Sequence, residues 1–391
     1  MLRTMLSGKS RTRCQIVGAL VFTVTTMSLV IFGLQTHLWR KRSLFKYENA
    51  SSFVNYAYTQ LPVAHYQLPA GKEVRHIGFL KVHKAASSTM QNMFFRFGLK
   101  RNLTFVFTKH PNYFSRSVKT HLPLVEPKHR ESYDILCNHG MFNLDVYSSV
   151  LPKDSVYLAI VRDPLAVFIS AVNYYSQPSQ LLNYLRKVPG NKLHSLIQHP
   201  QQYDRPFFSY TKNVMARDFG FPETTDESRI TSYLQKLDSI FKLVIIVEYF
   251  EESLILMKHY LKWNLKDILF LSNNVYGKGG SVQDLSPSDI RVFRKRNSLD
   301  YSVYDFFYKK FWRLLESQSD VIYDEIFHFR SVLTLLQTFC SSSNLSNNST
   351  LEITKSTWND QFFIYKNDCD LMKMDELEFI KILRQKQGSE L

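Results

Sequence analysis

A short polar stretch, KVHKAASST at residues 81–89, carries side chains suited to binding an anion. It follows the apolar run HIGFL and precedes MQNMFFRFG, so we expect a strand, a tight loop and a helix in succession. A helix that begins at such a loop presents unpaired backbone N–H groups and the positive end of its dipole to an anion. Lys84 would add a positive charge, and a phosphate or sulfate would accept hydrogen bonds from the hydroxyls of Ser87, Ser88 and Thr89.

This stretch differs from the ATP-binding loop of P-loop NTPases. That loop follows the pattern G-x-x-x-x-G-K-[ST], whereas residues 81–89 contain no glycine and place the lysine ahead of the hydroxyls. Binding of Mg·ATP, and with it a soluble nucleotide kinase, is therefore disfavoured. An ordinary capped helix with a solvated lysine is the alternative interpretation, and it is the commoner one for an isolated K-x-x-S-S-T pattern.

A second strand end, in SVYLAIVRDPLAVFISAVNYY (155–175), strengthens the anion-binding interpretation. The strand ends at Arg162, and Ser170 lies about two turns into the helix that follows. Asp163 can cap that helix, and Pro164 suits its first position. Ligands bind at the carboxyl edge of parallel sheets, where a guanidinium can hold a phosphate through two parallel hydrogen bonds. Two such sites predict a nucleotide that carries separated phosphates.

Apolar runs of strand length alternate with helical patterns from about residue 76 onward. Runs rich in β-branched residues between amphipathic helices indicate strands buried on both faces, which predicts a three-layer α/β fold with a parallel sheet. Beyond about residue 285 the pattern is helical and predicts a C-terminal portion that packs on the sheet. The strand runs are HIGFLKV (76–82), LTFVF (103–107), YDILCN (133–138), SVYLAIV (155–161) and KLVIIVEYF (242–250).

The N-terminal residues 16–34, IVGALVFTVTTMSLVIFGL, are uncharged and mostly apolar. As a helix they would span roughly 28 Å, about one hydrocarbon thickness, which predicts a transmembrane anchor. A cleaved signal peptide is the alternative, although the run is long for one and no small-residue cleavage site follows it. With an anchor, residues 1–15 form a cytosolic tail, 35–74 a stem and 75–391 one lumenal domain.

The N-x-[ST] sequons indicate the orientation of this anchor, which the positive charges on both of its sides leave open. All five sequons follow the anchor and none precedes it, as expected for a type II protein whose domain lies in a lumen. The formal net charge of +15 favours anionic ligands, but the cations are dispersed and a lumen holds no nucleic acid, so we expect no nucleic-acid partner. The sequons are at Asn49, Asn102, Asn344, Asn347 and Asn348.

Three of the four cysteines also follow the anchor, enough for one bridge and one free thiol. Cys340 and Cys369 are predicted to form a disulfide that closes the sequon-bearing loop, and Cys137 is the alternative partner. Neither a C-x-x-C nor an H-x-x-x-H pair is present, which predicts no metal site.

The motifs at the two strand ends resemble those of sulfotransferases that use 3′-phosphoadenosine 5′-phosphosulfate (PAPS), and more narrowly those of the galactose 3-O-sulfotransferase family. The resemblance covers about residues 76–380. Val82 and Ala85 stand where the family loop has threonines, and Lys278 is the only nearby cation where the family often has an arginine. The matching stretches are FLKVHKAASSTMQNMFFRFG (79–98), CNHGMF (137–142), VRDP (161–164), KNVMARDFGF (212–221), LVIIVEYFEESLILMKHYLKW (243–263) and SVQDLSP (281–287).

The resemblance implies a Golgi enzyme of type II topology that transfers sulfate from PAPS to the 3-hydroxyl of a terminal β-galactose in a glycoprotein, glycan or glycolipid. It leaves a homodimer open. The alternative is an inactive lumenal glycan-binding or scaffold module, although intact donor residues argue against it. On the family's pattern the donor is bound by Lys81, Lys84, Ala85, Ala86, Ser87, Ser88, Thr89, Arg162, Ser170 and Lys278.

Sulfuryl transfer requires an in-line arrangement and no metal in principle, and a base must take the proton of the sugar hydroxyl. An imidazole, with an ordinary pKa of about 6.5, suits this task. Two histidines qualify, and the match of CNH-x-x-F to the family favours His139 as the base. His83 is then expected to orient the loop or the donor, and Lys84 to stabilise charge on the leaving phosphate.

Overall fold

The computed structural model of the protein describes residues 71–128, 132–178, 183–205, 209–272 and 280–388. The predicted cytosolic tail, the anchor and most of the stem lie outside these residues, as do Asn49 and Lys278. Within the described ranges, no helix is both long and apolar enough to cross a bilayer.

A four-stranded parallel sheet lies at the centre of the domain. Its strands, in their order across the sheet, are β4 Ile135–Leu136, β1 Ile77–Leu80, β5 Val156–Val161 and β6 Phe241–Ile246. Strand β1 pairs with β4 and β5, and β5 pairs with β6. Every residue of β1 is buried, as expected for a strand covered on both faces. The prediction of an α/β fold with a parallel sheet is confirmed.

Two smaller antiparallel pairs accompany this sheet in the described part of the chain. One joins β2 Phe107–Thr108 to β3 Leu124–Val125, and the other joins β7 Thr350–Ile353 to β8 Phe362–Tyr365. The predicted strand over 103–107 is wrong for most of its length, because only a single bridge from Phe105 reaches the parallel sheet. This apolar run is largely buried beside β4, where the Val106 N–H donates to the carbonyl oxygen of Ile135 and the Thr104 carbonyl oxygen accepts from Asp134 and Ile135. These contacts are too few to form a strand ladder, and an apolar pattern indicates burial without specifying a ladder.

Short 3₁₀ turns occur at 247–249, 265–268 and 282–284. The helices are α1 Ser87–Arg101, α2 Leu144–Ser148, α3 Pro164–Tyr175, α4 Asn183–Arg186, α5 Lys192–Gln198, α6 Pro200–Tyr203, α7 Val214–Asp218, α8 Glu227–Ile240, α9 Phe250–Leu261, α10 Pro287–Arg296, α11 Ser298–Glu316, α12 Val321–Cys340, α13 Lys366–Lys373 and α14 Glu376–Lys386.

Capping residues explain where two of these helices begin. The carboxylate of Asp163 accepts a hydrogen bond from the backbone N–H of Ala166, and Pro164 occupies the first position of α3. The side chain of Ser286 likewise accepts from the N–H of Asp289 at the start of α10. The first helix start agrees with the predicted cap at Asp163, and the second agrees with the helical pattern predicted beyond about residue 285.

The C-terminal portion belongs to the same domain as the sheet. Helix α11 packs against β5 and β6, α12 packs against α9, and α14 packs against α1. The predicted disulfide joins Cys340 at the end of α12 to Cys369 in α13, and Cys137 is a buried free thiol. The sequon residues Asn344, Asn347 and Asn348 are exposed between α12 and β7, and Asn102 is exposed after α1.

Candidate functional site

The two predicted anion-binding strand ends are neighbours in the structure. Strands β1 and β5 are parallel and paired, so the loop after β1 (residues 81–86, the β1 loop) lies beside Arg162 at the end of β5. The Arg162 guanidinium donates a hydrogen bond from Nη1 to the carbonyl oxygen of Lys84, over 3.2 Å. This contact joins the two strand ends into one site at the carboxyl edge of the sheet.

The β1 loop turns without glycine. Lys84 and Ala86 adopt left-handed backbone conformations with φ of 58° and 52°, which are uncommon for residues that carry a Cβ. The buried hydroxyl of Ser87 donates to the carbonyl oxygen of Val82 over 2.6 Å and so closes the loop from within. Strained backbone of this kind concentrates at functional sites.

The hydroxyl-bearing residues at the start of α1 have different surroundings. The Ser87 hydroxyl donates within the β1 loop to Val82, whereas Ser88 is exposed and its Oγ donates to Oε2 of Glu376 over 3.3 Å. Thr89 is partly exposed, and its N–H donates to the carbonyl oxygen of Ala86. The first N–H groups of a helix have no acceptor within the helix, so this end of α1 suits an anion.

The Lys84 ammonium lies over the ring of Tyr174, with Nζ 3.6 Å from the ring centroid. Burial, together with the nearby charges of Arg162 and Lys81, lowers the pKa of Lys84 to about 8. An anion bound at this site would favour the protonated lysine, because opposite charges stabilise each other.

Lys81 is fully buried, and its ammonium contacts groups of the protein itself. Nζ lies 2.6 Å from Oε1 of Gln91 in α1 and 2.6 Å from Oε2 of Glu376 in α14. Burial lowers the pKa of Lys81, and the Glu376 carboxylate opposes that shift. Lys81 therefore ties the end of β1 to two helices.

The two candidate base residues are stacked on each other. The rings of His83 and His139 are nearly parallel, with centroids 4.2 Å apart and an interplanar angle of 18°. Asp218 Oδ2 accepts hydrogen bonds from both the backbone N–H and Nδ1 of His83, over 2.8 and 2.7 Å. On its other side, His83 Nε2 lies 3.1 Å from the hydroxyl oxygen of Tyr113.

His139 makes a different set of contacts. Its Nδ1 lies 3.0 Å from the carbonyl oxygen of Lys81, an acceptor, so Nδ1 carries the proton of the neutral ring. Burial lowers the pKa of His139 well below 6.5, and the neighbouring His83, Lys81 and Lys84 lower it further. His139 is therefore neutral at neutral pH.

Helix α7, which carries Asp218, is held by the start of α11. The backbone N–H of Asn213 donates to Oδ1 of Asn297 over 2.8 Å, and that of Ala216 donates to Oδ1 of Asp300 over 2.7 Å. Burial, aided by the negative charge of Asp218, raises the pKa of Asp300 to about 7.

Tyrosines form a rim around the stacked imidazoles, made by Tyr113, Tyr175 and Tyr210 (the tyrosine rim). The ring of Tyr210 lies 5.7 Å from that of His83 and 4.5 Å from that of Tyr175. Burial raises the pKa values of Tyr113 and Tyr175, so both keep their hydroxyl protons at neutral pH. The rim can donate hydrogen bonds and can pack against an apolar face.

A cavity of about 120 Å³, open to solvent on one side, lies beside the start of α1, between this helix and the segment containing α13 and α14. Oε1 of Glu376 is buried and has no hydrogen-bond partner within the described residues. The cavity is lined by Ser88, Thr89, Gln91, Asn92, Phe95, Phe270, Leu271, Met372, Met374, Glu376 and Phe379.

Asp218, Glu376 and the tyrosine rim are parts of this site that the sequence patterns do not predict. Asp218 lies in KNVMARDFGF (212–221), a stretch that matches the family. A carboxylate within a matching motif is the sequence signal that could have indicated a site residue. For Glu376 no local signal exists, because it lies far along the chain from Lys81. Ser170 is partly exposed in α3. Across the described ranges, no cluster of three or more His, Cys, Asp or Glu side chains could hold a metal ion.

Comparison with known proteins identifies the family of the chain. A model of the galactose-3-O-sulfotransferase family matches residues 3–357. The chain belongs to this family. Over 251 residues it is 32% identical to mouse (Mus musculus) galactose-3-O-sulfotransferase 3, covering 61% of this chain and 56% of that protein.

Two further relatives give similar values. Human (Homo sapiens) galactosylceramide sulfotransferase is 32% identical over 254 residues, which cover 62% of this chain and 58% of the relative. Mouse galactose-3-O-sulfotransferase 2 is 30% identical over 260 residues, which cover 63% of this chain and 64% of the relative. In each case the match spans less than two thirds of the relative's length.

Proposed function

We propose that this protein is a PAPS-dependent sulfotransferase that acts on the 3-hydroxyl of a terminal β-galactose in a glycoprotein, glycan or glycolipid. The observation that carries the proposal is the hydrogen bond from Arg162 to the carbonyl oxygen of Lys84, which brings two cationic strand ends together. Membership of the galactose-3-O-sulfotransferase family supports the same reaction.

The residues at the two strand ends fit a donor with separated phosphates. Lys84, the backbone of the β1 loop and the start of α1 would hold the 5′-phosphosulfate, with Ser88 and Thr89 as hydroxyl donors. Arg162 and Ser170 would hold the 3′-phosphate. When bound, PAPS supplies the sulfuryl group, and Lys84 stabilises negative charge on the leaving phosphate oxygen.

The cavity beside α1 fits the nucleoside part of the donor. Phe95, Phe270 and Phe379 give it apolar walls on which a purine can pack. Oε1 of Glu376 would accept a hydrogen bond from the exocyclic amine of adenine, because this buried oxygen has no partner in the described residues.

The tyrosine rim fits a sugar acceptor. A galactose ring can pack an apolar face on Tyr210. The Tyr113 hydroxyl oxygen lies 3.1 Å from His83 Nε2, so a sugar hydroxyl in that position would be within hydrogen-bond distance of Nε2. One of the two stacked imidazoles takes the proton of the acceptor hydroxyl. We also propose a Golgi type II topology with the anchor at 16–34, supported by exposed sequons such as Asn344.

The experiment that tests this proposal measures transfer of radiolabelled sulfate from PAPS to a lactose-type β-galactoside and to galactosylceramide. We expect transfer to at least one acceptor and none to its 3-O-methyl derivative, which lacks the reacting hydroxyl. Absence of transfer to every galactoside would contradict the proposal. Binding of a galactoside without turnover would in that case favour an inactive glycan-binding module.

A further inference from the structure

Asp218 is the last residue of α7, and its carboxylate is almost completely buried against the β1 loop. One oxygen, Oδ2, accepts from two donors of the same residue, the backbone N–H and Nδ1 of His83. A neighbouring cation is Arg217, whose Nε lies 4.0 Å from Oδ1. Burial of a carboxylate is costly unless it is hydrogen-bonded, and here His83 supplies both donors to Oδ2.

The contact with Asp218 determines which nitrogen of His83 can act. A carboxylate only accepts, so Nδ1 of the neutral ring carries the proton and Nε2 carries the lone pair. Nε2 lies against the Tyr113 hydroxyl, on the side of the tyrosine rim. If the hydroxyl of the sugar substrate took the place of the Tyr113 hydroxyl, it would lie against the Nε2 lone pair of His83, which can take its proton.

His139 has a weaker partner at the equivalent nitrogen. Its Nδ1 donates to a backbone carbonyl oxygen, which carries no full negative charge, and the cations Lys81 and Lys84 lie nearby. Asp218 by contrast would balance the positive charge that forms on His83 when it takes a proton.

We propose that His83 is the base and that Asp218 is its positioning residue. This inference rests on the proposed function and reverses the sequence-based preference for His139. The acceptor 3-hydroxyl gives its proton to His83 Nε2, and its oxygen forms a bond to sulfur. The bond from sulfur to the phosphate oxygen breaks, and the electron pair leaves with adenosine 3′,5′-bisphosphate. His139 supports the ring of His83 by stacking and holds the Lys81 carbonyl.

The test compares Asp218→Asn, His83→Ala, their double variant and His139→Ala in the sulfate-transfer assay. We expect kcat to fall about 100-fold or more in Asp218→Asn and in His83→Ala, with a nearly unchanged KM for PAPS. Asp218→Asn should add less than about threefold to the loss in His83→Ala, because it acts through that ring. His139→Ala should keep kcat within about tenfold of the wild type.

Controls separate this role from a loss of folding. Asp145→Asn changes an exposed carboxylate and should leave kcat unchanged. Each variant is checked by its melting temperature and by its binding of adenosine 3′,5′-bisphosphate. If Asp218→Asn does not fold, added imidazole provides the second measurement, and it should restore activity to His83→Ala but not increase that of His139→Ala.

The inference and the proposed function fail on different results. Wild-type kcat in His83→Ala would overturn the inference while leaving the enzyme a sulfotransferase. The same holds if Asp218→Asn lowers kcat as much in the His83→Ala background as in the wild type. No transfer by the wild-type protein would instead overturn the proposed function and the inference with it.

Discussion

The ends of β1 and β5 lie side by side but are held in different ways. After β5, the helix begins at once, capped by Asp163 through a contact with the adjacent turn. After β1, the loop passes through left-handed conformations at Lys84 and Ala86, and it is contacted by Asp218 and Glu376 from distant parts of the chain.

This difference indicates two ways to build an anion site. At the β5 end the start of the helix follows local capping rules, although the Asp163 N–H also donates to Oε1 of Glu248 and Arg162 contacts Lys84. The β1 loop has no glycine, and each left-handed residue with a Cβ costs about 1–2 kcal/mol. Contacts from α7 and α14 must offset that cost, so the β1 loop should be the more sensitive to distant substitutions.

The largest expected effect is on stability, from Glu376→Gln. This change leaves the fully buried ammonium of Lys81 without its countercharge, and removing one partner of a buried ion pair costs about 3–5 kcal/mol. Chemical denaturation measures the loss. Glu378→Gln, an exposed change in the same helix, should cost little, and a Lys81→Met, Glu376→Met double variant should recover most of the loss. An unchanged unfolding free energy in Glu376→Gln would show that the pair does not hold the β1 loop.

Lys84→Met should have the largest effect on catalysis among substitutions at the two strand ends. The variant loses the charge that stabilises the leaving phosphate, and we expect kcat to fall about 100- to 1,000-fold. Lys119→Met, which changes an exposed lysine, is the matched control and should keep kcat. A change confined to KM would mean that Lys84 only binds the donor.

Arg162→Ala tests the end of β5. We expect the KM for PAPS to rise about 10- to 100-fold with a smaller change in kcat, since a charge-assisted bidentate contact contributes about 1.5–3 kcal/mol to binding. The exposed Arg291 provides the control variant Arg291→Ala. Equal losses of kcat in the Lys84 and Arg162 variants would contradict the expectation that the β1 end acts mainly in catalysis and the β5 end mainly in donor binding.

The pH dependence of kcat/KM tests the charge of Lys84 directly. Because burial and neighbouring cations lower the pKa of Lys84 to about 8, the free enzyme loses this charge as the pH rises through that value. We expect kcat/KM to fall about tenfold per pH unit above about pH 8, and the fall to disappear in Lys84→Arg, whose guanidinium stays charged. A fall that persists in Lys84→Arg would assign it to another group.

The smallest effect is expected from Asp163→Ala. Loss of this cap should cost about 1 kcal/mol and lower the melting temperature by a few degrees. Asp226→Ala removes a similar cap from α8 and is the matched control variant. Only Asp163→Ala should also raise the KM for PAPS, because Asp163 adjoins Arg162. Equal KM values for PAPS in the two variants would show that the Asp163 cap does not contribute to donor binding.

Much of the fold could be predicted because it depends on local patterns. The buried strands of the parallel sheet, the start of α3 and the start of α10 follow from apolar runs and capping residues. The strand expected over 103–107 was the main error, since an apolar run indicates burial but does not identify a hydrogen-bonded partner. The β7–β8 pair was not predicted either.

The strand, loop and helix around KVHKAASST, the capped helix after Arg162 and the family of the chain could all be derived from the sequence. Each depends on residues that are near one another in the chain. The contacts of Asp218 with His83 and of Glu376 with Lys81 became visible only in three dimensions. His83 and Asp218 are 135 positions apart, and Glu376 lies still further from Lys81. Such contacts depend on the path of the whole chain, which local patterns do not specify.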